Sequence, residues 1–317
     1  MGPPLIDSNL ILSSPVARAL ALVGDRWTCL ILRDVFLGLR RFEELRKRSG
    51  AARGTLTSRL KSMVGNGILY KAPYQESPVR YEYRLTDKGL DLYPFVLAVW
   101  AWETRWSQES HIPPALTHSL CGKSMRPVFR CSNCHSAVTM REVTFTPGRT
   151  NTTAEKIPPR FQRRSKSNSV SVAGVDRHFF HVLDIIGDRW TGLVIASLYF
   201  GLKRHDDIAE ALGIATNILS DRLKLLVSVG VLQRVPYQEK PLRHEYRLTD
   251  KGGALYTHAL QLHEWAGRWL TGKDEQPLIL EHTPCGAPLQ SEVVCSDCDE
   301  PLKVTEVTYD HDFEPGD

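Results

Sequence analysis

The chain has 317 residues, 42% hydrophobic and 24% charged, with a formal net charge of +4 and seven cysteines. This is globular composition with room for about two domains. It holds no 18-residue apolar run, and Met1-Gly-Pro-Pro4 does not lead from a charged segment into an apolar one, so neither a membrane span nor a secretory leader is expected and a cytoplasmic location is.

Residues Val16 to Leu37 carry apolar positions at helical spacing, interrupted at Gly24-Asp25, which predicts two short helices. Arg41 to Arg48 predicts a short amphipathic helix, ended by Ser49-Gly50. In Thr55 to Val64, Leu56, Leu60 and Met63 fall at i, i+4 and i+7 as a buried stripe, leaving Arg53, Thr57, Ser58 and Lys61 on other faces. Gly65-Asn66-Gly67 stops that helix. Ile68 to Tyr70 and Tyr81 to Leu85 then predict the strands of a long hairpin around a loop at Pro73 to Pro78. A last helix starts near Thr86 or Asp87 and places Leu92, Phe95, Val99, Trp102 and Trp106 on one face. Helix, helix, turn, helix, hairpin, helix is the order of a winged helix-turn-helix.

Next come His118-x2-Cys121-x9-Cys131-x2-Cys134 and a stretch holding Arg149, Lys156, Arg160, Arg163, Arg164 and Lys166 against Glu155 alone. That stretch reads as a solvated linker whose charge either follows a phosphate backbone or merely keeps a tether soluble. Then the chain repeats itself. At an offset of 163 residues Gly24-Asp-Arg-Trp-Thr28 returns as Gly187 to Thr191, Pro73-Tyr-Gln-Glu76 as Pro236 to Glu239, and Trp102 and Trp106 as Trp265 and Trp269. A period this long is a whole domain, so the chain reads as a covalently joined pseudo-dimer. The fold class is mainly α with β-hairpin wings (α+β). The expected domains are 14–110 and 175–272 as winged helix-turn-helix domains, 111–146 and 273–317 as small ribbons, and 147–174 as the linker.

The second ribbon carries His282-x2-Cys285-x9-Cys295-x2-Cys298. Four N/S ligands in two closely spaced pairs suit tetrahedral zinc, and each ribbon with its own four ligands would hold one structural ion with no open position. Glycine after Cys121 and Cys285 suits the turn of a ligand knuckle, and metal would supply stability that so short a segment cannot obtain by apolar burial. The rival reading is a pair of reversible disulfides sensing oxidants. His135 has no counterpart, since Asp299 takes its place, and is not expected to be a ligand. Cys29, answered by Gly192, reads as a small core residue or a redox-sensing thiol.

Gly-Asp-Arg-Trp-Thr, the Arg41-Phe-Glu-Glu-Leu45 helix, Leu56-Thr-Ser-Arg-Leu-Lys61 and the Glu82-Tyr-Arg-Leu-Thr86 strand together resemble the HxlR family of bacterial transcription regulators, over Ser14 to Trp106 and Val175 to Trp269. The resemblance implies binding of double-stranded DNA, with the helix after the tight turn in the major groove and the wing at a phosphate or the minor groove. Family members build a homodimer through their outer helices, so two copies in one chain imply a fused dimer. Candidate groove residues are Arg53, Thr57, Ser58 and Lys61, with Arg80 on the wing. In the second copy they are Thr216, Asn217, Ser220 and Lys224, with Arg243 on the wing. Arg59 and its counterpart Arg222 serve either a phosphate or an internal carboxylate.

The copies differ where it matters for reading bases. Asp221 stands where the first copy has Ser58, and Thr216 where it has Arg53, so the halves are expected to prefer different sequences and the operator to be an imperfect palindrome. His205 replaces Phe42 at an expected core position. The tryptophan pairs are expected to form the surface joining the halves, and Trp100, answered by His263, marks a candidate effector pocket between them. A protein-docking scaffold and a thiol-based oxidant sensor are the alternatives. With no glycine-rich phosphate loop, nucleophile elbow or open metal position, an enzyme is not expected.

Overall fold

The computed structural model describes residues 8–107, 116–149, 179–272 and 275–308. Helices α1 (Ser8–Ser13) and α2 (Pro15–Val23) meet at Ser14, whose hydroxyl accepts from the Ala17 amide at 3.2 Å, while Pro15 supplies a pre-set first helical residue. The expected break at Gly24-Asp25 is there. Asp25 caps α3 (Arg26–Phe36), its Oδ1 accepting from the amides of Trp27 at 3.1 Å and Thr28 at 3.3 Å. α4 (Phe42–Ser49) has Glu43 and Glu44 in its first turn and Arg46, Lys47 and Arg48 in its last, the polarity the helix dipole favours. Gly50 ends it at φ 69°, a conformation glycine adopts at least cost. α5 (Arg53–Gly65) buries the expected stripe of Leu56, Leu60 and Met63.

Two local expectations need correction. Strands β1 (Leu69–Glu76) and β2 (Val79–Leu85) pair antiparallel out to Glu76 and Val79, so most of the expected loop at Pro73 to Pro78 is strand. A bulge between Pro73 and Gln75 lets the ladder pass a residue with no N–H to donate. The last helix is also two. Thr86 caps α6 (Asp87–Leu90) by accepting from the Gly89 amide at 3.1 Å, and α7 (Tyr93–Trp106) restarts beyond Asp91-Leu92 with proline in its first turn. Gly89 sits against the Ile68 carbonyl so closely that a Cβ would lie 2.2 Å from its oxygen.

Strands β3 (Leu116–His118), β4 (Lys123–Met125), β5 (Pro127–Cys131) and β6 (Val143–Arg149) follow. The second repeat forms α8 (Phe180–Ile186), α9 (Arg189–Tyr199), α10 (His205–Leu212), α11 (Thr216–Ser228), β7 (Leu232–Glu239), β8 (Leu242–Leu248), α12 (Asp250–Gly253) and α13 (Tyr256–Trp269). Strands β9 (Gln276–His282), β10 (Ala287–Pro288), β11 (Ser291–Cys295) and β12 (Val307–Thr308) complete the chain's described elements. Residues 147–149, expected to open the linker, are strand. Lys156, Arg160, Arg163, Arg164 and Lys166 of that linker lie outside the described residues.

The chain divides into two units, and neither is a contiguous repeat. The first-repeat unit is drawn from 22–128, 163–187 and 293–317, and the second-repeat unit from 1–21, 129–162 and 188–292. Each unit thus joins one winged domain to the other repeat's opening helix and part of its ribbon. In the first-repeat unit α8 packs on α3 and α7. The buried Glu103 carboxylate accepts from the amides of His181 at 3.1 Å and Val182 at 2.7 Å, capping α8, while Arg26 pairs with Asp184 and Trp102 stacks on His181 with centroids 5.7 Å apart. In the second-repeat unit α1 packs on α9 and α10, and Arg18 grips Glu275 with both guanidinium nitrogens, at 2.5 and 3.1 Å. Sheet pairing repeats the exchange: β12 pairs with β3 in one unit, and β6 with β9 in the other.

The tryptophan stripe is less uniform than its spacing predicts. Trp102 and Trp265 are core residues at 3% and 0% exposure, but Trp269 is 41% exposed. It stands in the last turn of α13, where the helix runs past its packing surface.

Candidate nucleic-acid interface and metal centres

In the first-repeat unit α4, the Gly50 turn and α5 form the helix-turn-helix. Burying Leu56, Leu60 and Met63 turns Arg53, Thr57, Ser58 and Lys61 to solvent, and all four are exposed. Arg53 is 70% exposed, lies 2.5 Å from Glu43 and covers the Phe42 ring at 5.3 Å, so α4 holds it at the edge of the α5 surface. Arg59 points the other way. Its Nε lies 3.1 Å from the Asp25 carboxylate, joining α5 to the N-cap of α3. On the wing, Arg80 is exposed near the hairpin turn.

The second-repeat unit presents the same surface with different chemistry. Thr216, Asn217, Asp221 and Lys224 of α11 are exposed, and Arg243 is exposed on the wing. Ser220 is half-buried, its hydroxyl 3.2 Å from His205 Nε2. His205 is accordingly no core residue: as the first residue of α10 it is half-buried and also lies 3.3 Å from Asp206. Arg222 repeats the internal pairing, 3.2 Å from Asp188, the cap of α9. The arginine at this position thus serves the internal carboxylate in both copies.

One feature of this surface goes unflagged by helix periodicity. Arg41 lies over the exposed Tyr74 ring at 4.6 Å, and Arg204 over Tyr237 at 4.5 Å, each tying the start of the shorter helix to the wing. The signal available in sequence is that arginine and tyrosine both recur at the repeat offset.

The eight expected metal ligands come together in two groups of four, with a grouping that corrects the expected one. His118 and Cys121 join Cys295 and Cys298, and Cys131 and Cys134 join His282 and Cys285, the four ligand atoms of each group lying within 4.8 Å of one another. Each pair stays local, held by its knuckle: the Gly122 amide donates to the His118 carbonyl at 2.8 Å, and the His135 amide to that of Cys131 at 2.9 Å. The nine-residue spacers, however, carry the two pairs of one ribbon into different units. Spacing alone cannot distinguish the two groupings, because each is two knuckles facing each other.

In the first-repeat unit His118 Nδ1 is 3.6 Å from Cys121 Sγ and 3.3 Å from Cys298 Sγ, and Cys121 and Cys295 sulfurs are 4.0 Å apart. In the second-repeat unit the matching separations are 3.5 Å from His282 to Cys285, 3.3 Å to Cys134, and 4.0 Å between the Cys131 and Cys285 sulfurs. Zinc with Zn–S of about 2.3 Å and Zn–N of about 2.0 Å puts its ligand atoms about 3.5–3.8 Å apart, so both donor sets fit tetrahedral zinc. His118 and His282 are fully buried, and the Nε2 of His118 lies 3.9 Å from the Glu306 carboxylate, beyond hydrogen-bond distance. An amide donating from Ser136 lowers the Cys134 thiol, whereas burial raises its neighbour Cys131. His135 is 60% exposed and lies 2.9 Å from Glu292, outside the ligand group. Cys29 is 5% exposed, donates its thiol to the Val23 carbonyl at 3.1 Å, and is pushed well above the usual thiol range by burial. It is a core residue.

Among the described residues no helix is long and apolar enough to cross a membrane. The family model described as HxlR-like helix-turn-helix matches residues 22–111 and 185–274. The uncharacterized HTH-type transcriptional regulator Rv3095 of Mycobacterium tuberculosis (strain ATCC 25618 / H37Rv) is 42% identical over 134 residues, covering 42% of this chain and 85% of that protein. The HTH-type transcriptional regulator YodB of Bacillus subtilis (strain 168) is 35% identical over 86 residues, 27% of this chain and 77% of its own. Among solved structures, PA1607 matches at 35% identity over 41% of this chain and 91% of that one with a TM-score of 0.38. Diamide-treated YodB matches at 33% identity over 29% and 91% with a TM-score of 0.26.

Proposed function

Because the chain belongs to the HxlR-like helix-turn-helix family of transcriptional regulators, with two copies of its domain, we propose that it binds DNA sequence-specifically as a covalent pseudo-dimer. The observation that carries this is the twice-built surface of an exposed polar helix beside an exposed arginine-bearing wing: Arg53, Thr57, Ser58, Lys61 and Arg80 in one unit, Thr216, Asn217, Asp221, Lys224 and Arg243 in the other. A helix presented in this way enters the major groove, and the wing arginine meets the backbone or minor groove. Rv3095 is aligned over 85% of its length by 134 residues, so it is about one repeat long, which supports reading this chain as two such proteins fused. Fusion makes engagement of the second half-site intramolecular. Arg53 suits guanine, whereas Asp221 accepts from a cytosine amino group and repels phosphate, so the two half-sites differ. A DNA regulator of this kind acts in the cytoplasm.

Zinc is the proposed occupant of both Cys3His groups. Four protein ligands close each shell, which suits a structural ion. Each ion would tie segments of the two repeats together in one unit.

Selection and sequencing of genomic fragments bound at two salt concentrations tests the reading. An enriched motif of two unequal half-sites, bound more weakly at high salt, is the expected result. Equal capture of all fragments, or no salt dependence, would favour a protein-docking scaffold instead.

A further inference from the structure

The first-repeat unit holds a cavity of about 340 Å³. Phe36 of α3 and Tyr93, Val96 and Trp100 of α7 form its wall, and Phe179 and Val307 from the second repeat complete it. The second-repeat unit has a pocket at the matching positions, including Tyr199, Tyr256, Ala259, His263 and Val16, but of only about 60 Å³. There Phe145 of β6 stands edge-on against Phe200, ring centroids 4.9 Å apart, and both line the smaller pocket. Tyr309, at the position matching Phe145, lies outside the described residues. Among the described residues, then, the two matching pockets differ about sixfold in volume. The larger one lies within a single unit, not between the halves as Trp100 suggests from sequence.

Three properties define what the larger pocket would take. Its volume falls in the range of small-molecule sites, which are mostly apolar with a few placed polar groups. Trp100 is 7% exposed, and its indole Nε1–H has no hydrogen-bond partner among the described residues, so a buried donor awaits an acceptor. Arg33, the cation in the wall, lies against the buried Asp34 carboxylate at 2.7 Å, a carboxylate that Arg48 also approaches at 3.4 Å.

We propose that this cavity binds a compact aromatic molecule whose carbonyl or ether oxygen accepts from Trp100, and that this ligand regulates the DNA binding proposed above. The path from pocket to groove is one helix long. Phe36 ends α3 at the cavity, and Asp25 caps the other end of α3 and holds Arg59 of α5 at 3.1 Å. A ligand that favours one setting of α3 biases the groove-facing helix, and by linkage DNA changes ligand affinity by the same factor.

The test uses the full-length metal-loaded protein and Prodan, 6-propionyl-2-dimethylaminonaphthalene, a neutral solvatochromic ketone. One saturable, blue-shifted site per chain is expected. Trp100→Phe should weaken binding about tenfold and Val96→Trp should abolish it, each with the parent's melting temperature. If tryptophan is not accommodated, Val96→Leu should still weaken binding at least threefold. Bound Prodan should then shift affinity for the selected DNA motif several-fold. Absence of saturable binding, binding untouched by filling position 96, or binding only after removal of 309–317 would overturn the site, the last because the chain's own end would then be the occupant. Saturable Prodan binding with DNA affinity unmoved would overturn the regulatory role. Prodan binding by a protein that selects no DNA motif would keep the pocket and remove the regulator reading.

Discussion

The sulfurs of Cys121 and Cys295 lie 4.0 Å apart although 174 positions separate them in the chain. Each ligand group is completed by the other repeat, and metal counting can check this directly. The intact protein is expected to carry two zinc ions. Cys121→Ala and Cys295→Ala, alone or together, should each leave one, because they damage the same site. Cys121→Ala with Cys131→Ala should leave none. Elemental analysis distinguishes this from ribbon-by-ribbon binding, where the last pair would leave one ion and the first pair none.

Lys61 and Arg59 sit two positions apart on α5 and should behave oppositely in DNA binding. Lys61→Ala removes an exposed cation and should weaken binding uniformly across sequences, lowering the slope of log affinity against log salt by about 1. Arg59→Ala should leave that slope unchanged, since the guanidinium already lies against Asp25. Its effect belongs in stability. Titrations at several salt concentrations separate the two.

Asp25 combines two jobs, capping α3 and receiving Arg59. Asp25→Ala should destabilise the first-repeat unit by about 1–2 kcal/mol, the usual range for losing a good N-cap with a partner left behind. Asp25→Asn retains an oxygen for the cap and should recover about half of that. Denaturant midpoints of the two variants measure the difference.

Acid lability should trace to α13. Burial holds His258 down at about 3 and His263 at about 4, both below the ordinary imidazole value. The folded form stays neutral where the unfolded chain takes up protons, so stability is full above about pH 6.5 and falls as pH drops toward the folded values. For His258 alone the loss at pH 5 is about 2 kcal/mol. His258→Phe, which restores the residue found at position 95, should therefore stabilise far more at pH 5 than at pH 8, read as melting temperature at the two values.

Where local rules decide, the sequence was enough. Gly24-Asp25 announces a helix break and a cap, the i, i+4, i+7 stripe at Leu56, Leu60 and Met63 orients α5 correctly, and the eight Cys and His residues that gather into the two groups all stand out by their knuckle spacing. Non-local questions were out of reach. Two homologous repeats with the same ligand spacing offer every such long-range contact a duplicate partner, so nothing in the pattern tells Cys121 whether to face Cys131 or Cys295, or whether α3 packs beneath its own repeat's first helix or beneath α8. The arginine of α5 illustrates a different ambiguity. A half-buried carboxylate within 3.1 Å outcompetes solvent for it, and that carboxylate's position is a tertiary fact.

The shuffled ancestry of the units also dictates an order of events during translation. The first winged domain leaves the ribosome early, yet α8, which packs on α3 and α7, belongs to the next repeat, and Cys295 follows its partner Cys121 by 174 positions. Until then the nascent chain holds half a metal shell and an uncovered apolar face, a state prone to chaperone capture and proteolysis. A message truncated before the codon for Cys295 would thus leave the first-translated domain with only His118 and Cys121 of its ligand group, so a late knuckle is the guarantor of an early domain.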